Sequence, residues 1–329
     1  MLSEWLDATL EGREPTSLQG ELPSGRYRFY GPGIVELLPD TIGPQGRACV
    51  FSAAIHGNET APVELVGELL AGVEAGTLRL GAPLLVILGN LPALRQSCRF
   101  ISTNLNRLFR RELDATGEEA DRARELMAAV DAFYARHASL GRLHYDLHTA
   151  IRDSRYPRFV VEPYAETAIA HEQWRWLAAA GIQAALHQHQ HSWTFSHYTK
   201  HYHAAQSFTL ELGKVAPFGA NDLAALQPML ALLQALAEGR EPTSAPLSEM
   251  QFFRVEYELM RSSEAFTLCI ADDTPNFTEF PPGACLARDA VQGDFIVGET
   301  PLRVVFPNPK VELGARAALL VAPSSVPDN

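Results

Sequence analysis

The 329-residue sequence predicts an α/β fold, in which helices flank a mostly parallel or mixed central sheet and a small β domain follows at the C-terminal end. Continuous apolar runs at 48–55 and 84–88 are typical of strands buried on both faces, and helix-like segments alternate with such runs. After residue 240, short strand patterns follow one another at intervals of about ten residues. We therefore expect two domains, at 1–240 and 245–329, with Glu241–Pro246 as the linker.

The first predicted domain begins with a proline-broken region, residues 1–45, for which we expect an entry helix and a short hairpin. Helix 118–137 is predicted by the spacing of Ala123, Met127 and Val130 on one face. The predicted strands are 48–55, 84–88, 143–148, 159–162 and 208–212, and the predicted helices are 60–70, 118–137, 166–180 and 222–238.

The second predicted domain opens with a half-buried strand pattern. Phe253, Val255 and Tyr257 alternate with Arg254 and Glu256, so the apolar side chains share one face. The further strand candidates of this domain lie at 268–271, 285–288, 295–297, 304–306 and 317–321.

Charge and composition exclude several classes of protein. With 27 basic and 39 acidic residues the net charge is −12, which disfavours binding to nucleic acid. No apolar run reaches the roughly 18–20 residues of a membrane helix, so we expect no membrane association. The sequence leaves open whether the chain forms a homo-oligomer.

Cysteine usage and the first residues predict a cytoplasmic protein. The four cysteines are far apart and form no CxxC pair, which is typical of a reduced chain without a disulfide framework. The first residues are acidic and lack the basic start and apolar core of a secretory signal. The motifs GxSxG, GxGxxG, HExxH and the Walker loop are absent, which disfavours serine hydrolases, nucleotide-dependent enzymes and helix-borne zinc proteases.

Polar side chains stand at the ends of three predicted buried strands. His56 and Glu59 follow the first strand, and His148 and Glu211 end two others. Because ligands bind at the carboxyl ends of parallel strands, we expect these groups to meet. Two histidines and one glutamate leave an open position, as in a catalytic zinc site. Asp146 shares a strand face with His148 and is a candidate to orient His56, with a sheet-end aspartate facing solvent as the alternative.

The loop 97–111 is the most basic stretch of an acidic chain, and Arg99 is part of it. Asn106 beside Arg107 offers amide donors and a guanidinium group that suit a carboxylate. Arg152, four residues after His148, is a further candidate for contact with an anion. These residues predict a small anionic substrate.

Six of the eleven histidines lie between residues 187 and 203. His187, His189 and His191 alternate with glutamine, so in a strand they would share one face. We expect an exposed polar strand and loop near the active site, in which one of these residues or Lys200 contacts substrate. A second metal site stays open as the alternative.

Four motifs and the C-terminal tail resemble the carboxypeptidase-like zinc hydrolases of the succinylglutamate desuccinylase and aspartoacylase family. The motifs occur in the family's order, and the resemblance extends over nearly the whole chain. They are HGNETAP at 56–62, NLNRLF at 104–109, DLHTAIR at 146–152, TLELGK at 209–214, and VFPNPKV at 305–311 with GARA at 314–317.

The resemblance implies one zinc ion per chain, held by His56, Glu59 and His148, with Glu211 as the general base. It also implies the zinc carboxypeptidase-like fold for the first domain. The implied reaction is hydrolysis of the amide of N-succinyl-L-glutamate to L-glutamate and succinate, in arginine catabolism by the succinyltransferase route.

The resemblance further implies that Arg99 polarises the scissile carbonyl and that Asn106 and Arg107 hold a substrate carboxylate. Lys200 and His201 stand where aspartoacylase has a further arginine, about ten residues before the catalytic glutamate. This departure favours a succinyl substrate over N-acetylaspartate.

Two other readings of the sequence stay open. One is a sister activity in the same family, an acylaspartate hydrolase or a carboxypeptidase. The other is a non-catalytic protein that binds a metal or an anion, with the histidine-rich stretch 187–203 as its site. The second reading gives no role to Glu211 at the end of a third strand.

Overall fold

A computed structural model describes residues 2–13 and 15–326 of the chain. Seven α-helices are present in this part, together with short 3₁₀ helices at Leu105–Arg107, Ala224–Leu226 and Leu247–Glu249. None of these helices combines the length and the apolar character that a membrane span needs. The α-helices are α1 (Leu2–Glu11), α2 (Ala61–Ala75), α3 (Leu91–Arg95), α4 (Glu118–Arg136), α5 (His171–Ala179), α6 (Phe195–His203) and α7 (Gln227–Ala237).

The strands of the described residues form a 13-stranded mixed sheet and a three-stranded sheet. They are β1 (Gln19–Leu22), β2 (Gly25–Gly31), β3 (Ile34–Pro39), β4 (Ala48–Ala53), β5 (Leu84–Leu88), β6 (Arg142–Ala150), β7 (Arg158–Glu162), β8 (Ala184–His187), β9 (Gln206–Lys214), β10 (Gln251–Met260), β11 (Thr267–Leu268), β12 (Thr278–Phe280), β13 (Cys285–Asp289), β14 (Gly293–Ile296), β15 (Leu302–Val305) and β16 (Arg316–Pro323). The large sheet has the order β1-β2-β3-β5-β4-β6-β9-β7-β8-β10-β16-β15-β12, and the small one β11-β13-β14.

The centre of the large sheet is parallel and covered by helices on both faces. Strands β5, β4, β6 and β9 are parallel neighbours. Alternate residues of β4 enter different cores: Cys49 and Phe51 pack in the core that includes α1, α2, α5 and α7, whereas Val50 packs in the core that includes α4 and α6. Burial on both faces explains why β4 and β5 are uninterrupted apolar or small-residue runs. The predicted fold class is confirmed.

The observed elements differ from the predicted ones mainly at their ends. The predicted N-terminal hairpin is a three-stranded antiparallel unit, β1 to β3. Helix α2 runs past Gly72 because Val73 is also a core residue, and it ends at Gly76 in the left-handed conformation (φ 72°). Helices α5 and α7 begin at His171 and Gln227, five residues later in each case than predicted, and a proline in the first turn of α7 suits its start.

The chain after residue 187 departs from the prediction. We expected an exposed polar strand and loop: strand β8 does end at His187 and residues 189–191 are exposed outside any helix or strand, but residues 195–203 form helix α6. The Thr194 hydroxyl caps this helix by accepting a hydrogen bond from the His197 N–H at 3.2 Å. Phe195 and Tyr198 of α6 are buried in the core shared with α4.

The C-terminal strands are partly an extension of the main sheet. Strand β10 pairs with β8 in parallel and with β16 in antiparallel orientation. A separate apolar core, to which Leu259, Leu286 and Leu320 belong, supports the small antiparallel β domain. Strand β12 was not predicted. The division into domains at 1–240 and 245–329 stays a prediction.

Replacing Leu69 of α2 by alanine should lower the free energy of unfolding by about 2–5 kcal/mol, because the side chain is fully buried and the cavity would not collapse completely. Leu18, which is 64% exposed, is the matched control: its replacement by alanine should change stability by less than about 0.5 kcal/mol. Urea denaturation of both variants measures the difference. Equal losses would contradict the assigned packing of α2.

Candidate metal centre

The structure brings together three of the residues that the sequence predicted at strand ends. His56 and Glu59 lie in the turn between β4 and α2, and His148 lies near the end of β6, the strand beside β4. One ligand atom from each of the three residues lies within 4.8 Å of the other two, and all three side chains are buried. Two imidazoles and a carboxylate at this spacing can hold a divalent metal ion. We call these residues the primary cluster.

Glu59 is the centre of the primary cluster. Its Oε1 lies 2.8 Å from His56 Nδ1 and accepts a hydrogen bond from Arg99 Nη1 at 2.8 Å. Its Oε2 lies 2.9 Å from His148 Nδ1 and accepts a hydrogen bond from the Thr149 N–H at 3.0 Å. Burial alone would raise the pKa of Glu59, but the two histidines outweigh it and hold the pKa well below its usual value. The carboxylate is therefore ionised.

Asp146 supports His148 and not His56, which corrects the expected partner. Its Oδ2 lies 3.0 Å from His148 Nε2, and its Oδ1 accepts a hydrogen bond from the Ser52 hydroxyl at 2.6 Å. The second ring nitrogen of His56 instead lies 3.1 Å from Asn104 Oδ1. A carboxylate behind a metal-binding histidine fixes the orientation of the ring.

Glu211 lies beside His148, because the two residues are partners in the parallel pairing of β6 with β9. Its side chain is 7% exposed, and its Oε2 atom is buried without a hydrogen-bond partner among the described residues. Burial, followed by the negative charge of Glu59, raises the pKa of Glu211 to about 7. Burying a carboxylate oxygen without a hydrogen-bond partner costs free energy. This cost is offset when a bound substrate, water molecule or metal ion contacts that oxygen.

The loop 97–111 contacts both the primary cluster and the turn that carries His56 and Glu59. Arg99 donates to Glu59, and the Arg99 carbonyl accepts a hydrogen bond from the Gly57 N–H at 3.1 Å. The Arg99 side chain is 32% exposed, so part of its guanidinium still faces solvent. Asn104 of the same loop contacts His56.

Asn106 and Arg107 also border the cluster. The Asn106 side chain is buried, with Nδ2 lying 3.5 Å from His148 Nε2. Arg107 donates from Nη1 to the Asn106 carbonyl at 2.7 Å. Part of the Arg107 side chain is exposed, while desolvation of the guanidinium and the charges of Arg316 and Arg99 lower the pKa of Arg107 to about 9. Several positive groups thus gather near the cluster.

Two candidate substrate contacts are engaged elsewhere. Arg152 donates to the carbonyls of Ala271 and Asp272 in the C-terminal domain and makes no recorded hydrogen bond to the primary cluster. The Lys200 ammonium is buried and donates to Glu162 Oε1 at 2.5 Å and to the Pro163 carbonyl at 2.9 Å. The Lys200 side chain is therefore not free to take an anion, whereas Arg152 uses only Nη1 in these contacts.

A second group of histidines forms a cluster of its own. His191, His197 and His201 each place one ring nitrogen within 4.8 Å of the other two. His197 is fully buried, whereas His191 and His201 are exposed. Burial, followed by the nearby His191 and His201, lowers the pKa of His197 to about 3. We call these three residues the histidine cluster.

Ser52, His144, Asn104 and Arg316 were not identified from the sequence. His144 lies 2.7 Å from the Ser52 hydroxyl and 2.9 Å from the Thr199 hydroxyl. It therefore fixes the position of the Ser52 hydroxyl, which donates to Asp146. Residues 144, 146 and 148 alternate along one strand, so their side chains share one face. This spacing could have identified His144 as a neighbour of Asp146 from the sequence alone. A serine within an apolar run and an arginine of the C-terminal domain gave no comparable signal.

Gly57 allows the turn that positions His56 and Glu59. A Cβ atom at this position would lie 2.1 Å from the Ala93 carbonyl carbon and 2.2 Å from the Leu94 nitrogen, so backbone would have to move.

Gly57→Ala should lower the free energy of unfolding by about 1–3 kcal/mol and weaken binding of a divalent metal. Gly298→Ala, where a Cβ meets nothing within 4 Å, is the control. Metal titration and urea denaturation of both variants test this, and wild-type metal affinity in Gly57→Ala would contradict it.

Comparison with known proteins agrees with this geometry. The family description "Succinylglutamate desuccinylase/Aspartoacylase catalytic domain" matches residues 45–237, and the "AstE/AspA barrel-sandwich hybrid domain" matches residues 248–324. The chain is 41% identical to the succinylglutamate desuccinylase of Ectopseudomonas mendocina, over 98% of this chain and 97% of the relative.

Solved structures agree over the same length. The succinylglutamate desuccinylase of Vibrio parahaemolyticus superposes with a TM-score of 0.90 at 31% identity, covering 98% of this chain and 95% of the other. That of Chromobacterium violaceum gives a TM-score of 0.85 at 36% identity, covering 99% of both chains. Family matches over both parts of the chain and full-length relatives above 30% identity establish that the chain belongs to the succinylglutamate desuccinylase/aspartoacylase family.

Proposed function

We propose that this protein is a zinc-dependent hydrolase that cleaves the amide of N-succinyl-L-glutamate to L-glutamate and succinate, as part of arginine breakdown. The observation that carries the chemistry is the unpartnered Oε2 of buried Glu211 beside the primary cluster. The names of the full-length relatives support the substrate.

The primary cluster fits one zinc ion. His56, Glu59 and His148 would hold it, a ligand set that leaves a further position open. Asp146 would orient His148 by accepting the proton of its other ring nitrogen. When bound, zinc polarises the amide carbonyl as a Lewis acid and lowers the pKa of a water molecule.

Glu211 is the proposed general base and acid. Its free oxygen accepts a proton from the attacking water and then returns this proton to the nitrogen of the leaving glutamate. Burial and the charge of Glu59 raise the pKa of this carboxyl group in the metal-free protein, and a zinc ion held beside it would lower the pKa again, toward the ionised form that a base needs. Burial at 7% exposure keeps competing water away from the carboxylate.

The positive groups near the cluster suit a substrate with three carboxylates. The exposed part of Arg99 would stabilise the oxyanion that forms when water adds to the carbonyl. Asn106 and Arg107 would hold a substrate carboxylate. Arg152 stays a candidate contact for a substrate carboxylate, because only its Nη1 is engaged, whereas Lys200 is bound by Glu162 and has no such role in this proposal.

The compartment that we propose is the cytoplasm. Its support is that the four cysteines are free of disulfide bonds, including Cys269 and Cys285, whose sulfur atoms lie 3.7 Å apart.

Hydrolysis of N-succinyl-L-glutamate, measured beside N-acetyl-L-aspartate with and without a chelator, tests the proposed function. We expect turnover of the succinyl substrate that chelator abolishes and added zinc restores, with much slower hydrolysis of the acetyl substrate. Preference for N-acetyl-L-aspartate or for C-terminal peptides would contradict the substrate. Full activity after complete metal removal would contradict the zinc mechanism.

Glu211→Gln should bind zinc like the wild type but lose about 10²–10⁴-fold in kcat, because the amide keeps the shape of the side chain and cannot accept the proton. Glu249→Gln, at an exposed position of the 3₁₀ helix Leu247–Glu249, is the control and should keep full activity. Metal content and steady-state kinetics of both variants provide the measurement. Near wild-type turnover in Glu211→Gln would exclude its role as base.

A further inference from the structure

We propose that the histidine cluster, His191, His197 and His201, is a second binding site for a divalent transition metal ion, separate from the primary cluster. The proposed hydrolysis uses none of these residues. Imidazole nitrogens suit Zn²⁺, Ni²⁺, Cu²⁺ and Co²⁺, and three of them converge here from two consecutive segments of the chain.

Helix geometry supplies two of the ligands. His197 and His201 are four residues apart on α6, so they lie on the same face one turn apart. Their rings are nearly parallel, with an interplanar angle of 13° and centroids 5.3 Å apart. One ring nitrogen of each lies within 4.8 Å of the other and of one ring nitrogen of His191.

The segment before α6 supplies the third ligand. His191 places its Nδ1 atom 2.8 Å from His197 Nε2, and its ring centroid lies 4.9 Å from that of His201. Two nitrogens bound to one tetrahedral zinc are roughly 3.3 Å apart, given bonds of about 2.0–2.1 Å. Opening the observed contact by about 0.5 Å, with rotation of the two rings so that both nitrogens face the ion, would give the chelating separation.

The side chains around His191 hold it toward α6. The Trp193 ring stacks on the His191 ring at 5.2 Å with an interplanar angle of 20°, and the Tyr164 ring meets its edge at 5.4 Å. The nearby positive charge of Lys200 is balanced by Glu162 at 2.5 Å. The site is thus built by packing and does not depend on the chance positions of free surface side chains.

Hydrogen bonding within the protein leaves the cluster incomplete. His197 is fully buried, and the one hydrogen bond of its side chain among the described residues joins Nε2 to His191 Nδ1. The contact between His191 and His197 accommodates only one proton between two ring nitrogens. A bound cation would use the lone pairs that this arrangement brings together.

A metal ion here would fasten the segment 188–194 to α6. This segment also supports the primary site, because the Trp193 carbonyl accepts a hydrogen bond from the Phe109 N–H at 3.2 Å. Next to it, the Phe195 N–H donates to Asn106 Oδ1 at 2.9 Å. The second ion would therefore stiffen the part of the structure that holds Asn106.

Counting the zinc retained by the full chain after dialysis against micromolar free zinc tests the proposal. We expect two equivalents for the wild type and one for His201→Ala or His191→Ala, both at exposed positions where alanine should not impair folding. The matched control is His189→Ala, an exposed histidine of the same stretch outside the cluster, which should retain two equivalents. An unchanged zinc content in both cluster variants would overturn the proposal.

A His148→Ala background separates this site from the proposed catalytic one. This variant should lose zinc from the primary cluster but still bind one equivalent, and adding His201→Ala should remove it. The loss of one equivalent on adding His201→Ala supports the second site whether or not the protein hydrolyses N-succinyl-L-glutamate. A His148→Ala protein that is folded by circular dichroism and binds no zinc would overturn it.

Discussion

The buried carboxylate of Glu59 is the interaction on which the site depends. An ionised group with 1% exposure is stable only when other groups replace its water. Arg99 and the Thr149 N–H donate hydrogen bonds to its two oxygens, and Nδ1 of His56 and of His148 lies within 2.9 Å of them. They come from the turn after β4, the loop that carries Arg99 and the end of β6. The same contacts that satisfy this charge therefore set the relative positions of three segments far apart in sequence.

The sequence predicted the centre of this arrangement because strand ends in a parallel sheet are a strong positional constraint. His56, Glu59, His148 and Glu211 each follow or end an apolar run, and β4, β6 and β9 are neighbours in the sheet. The apolar runs that predicted buried strands were enough to place these side chains together at the carboxyl ends of the parallel strands. Family resemblance then added roles that spacing alone does not supply.

The sequence did not predict the hydrogen-bond partners of individual side chains or the helix in the histidine-rich stretch, because these depend on which of several possible contacts the folded chain makes. Asp146 could reach either imidazole by spacing, and the packing of the rings decides for His148. A polar strand and loop were expected for the whole histidine-rich stretch, but from Phe195 onward the Thr194 cap and the burial of Phe195 and Tyr198 favour a helix. Lys200 lies within the same stretch and was a candidate for contact with substrate, yet it is buried against Glu162. Each outcome rests on tertiary contacts with no local signature.

The pairing of β8 with β10 has a consequence for how the two parts of the chain coexist. Residues 251–254 lie beside 184–187 in register, and Phe253 and Leu319 share an apolar core with Phe159. Without the C-terminal strands, β8 would present a row of unpaired N–H and C=O groups beside exposed apolar surface, a template for edge-to-edge aggregation. The C-terminal strands thus cover what would otherwise be an exposed edge strand of the large sheet. A chain shortened at residues 241–246 would therefore be prone to self-association.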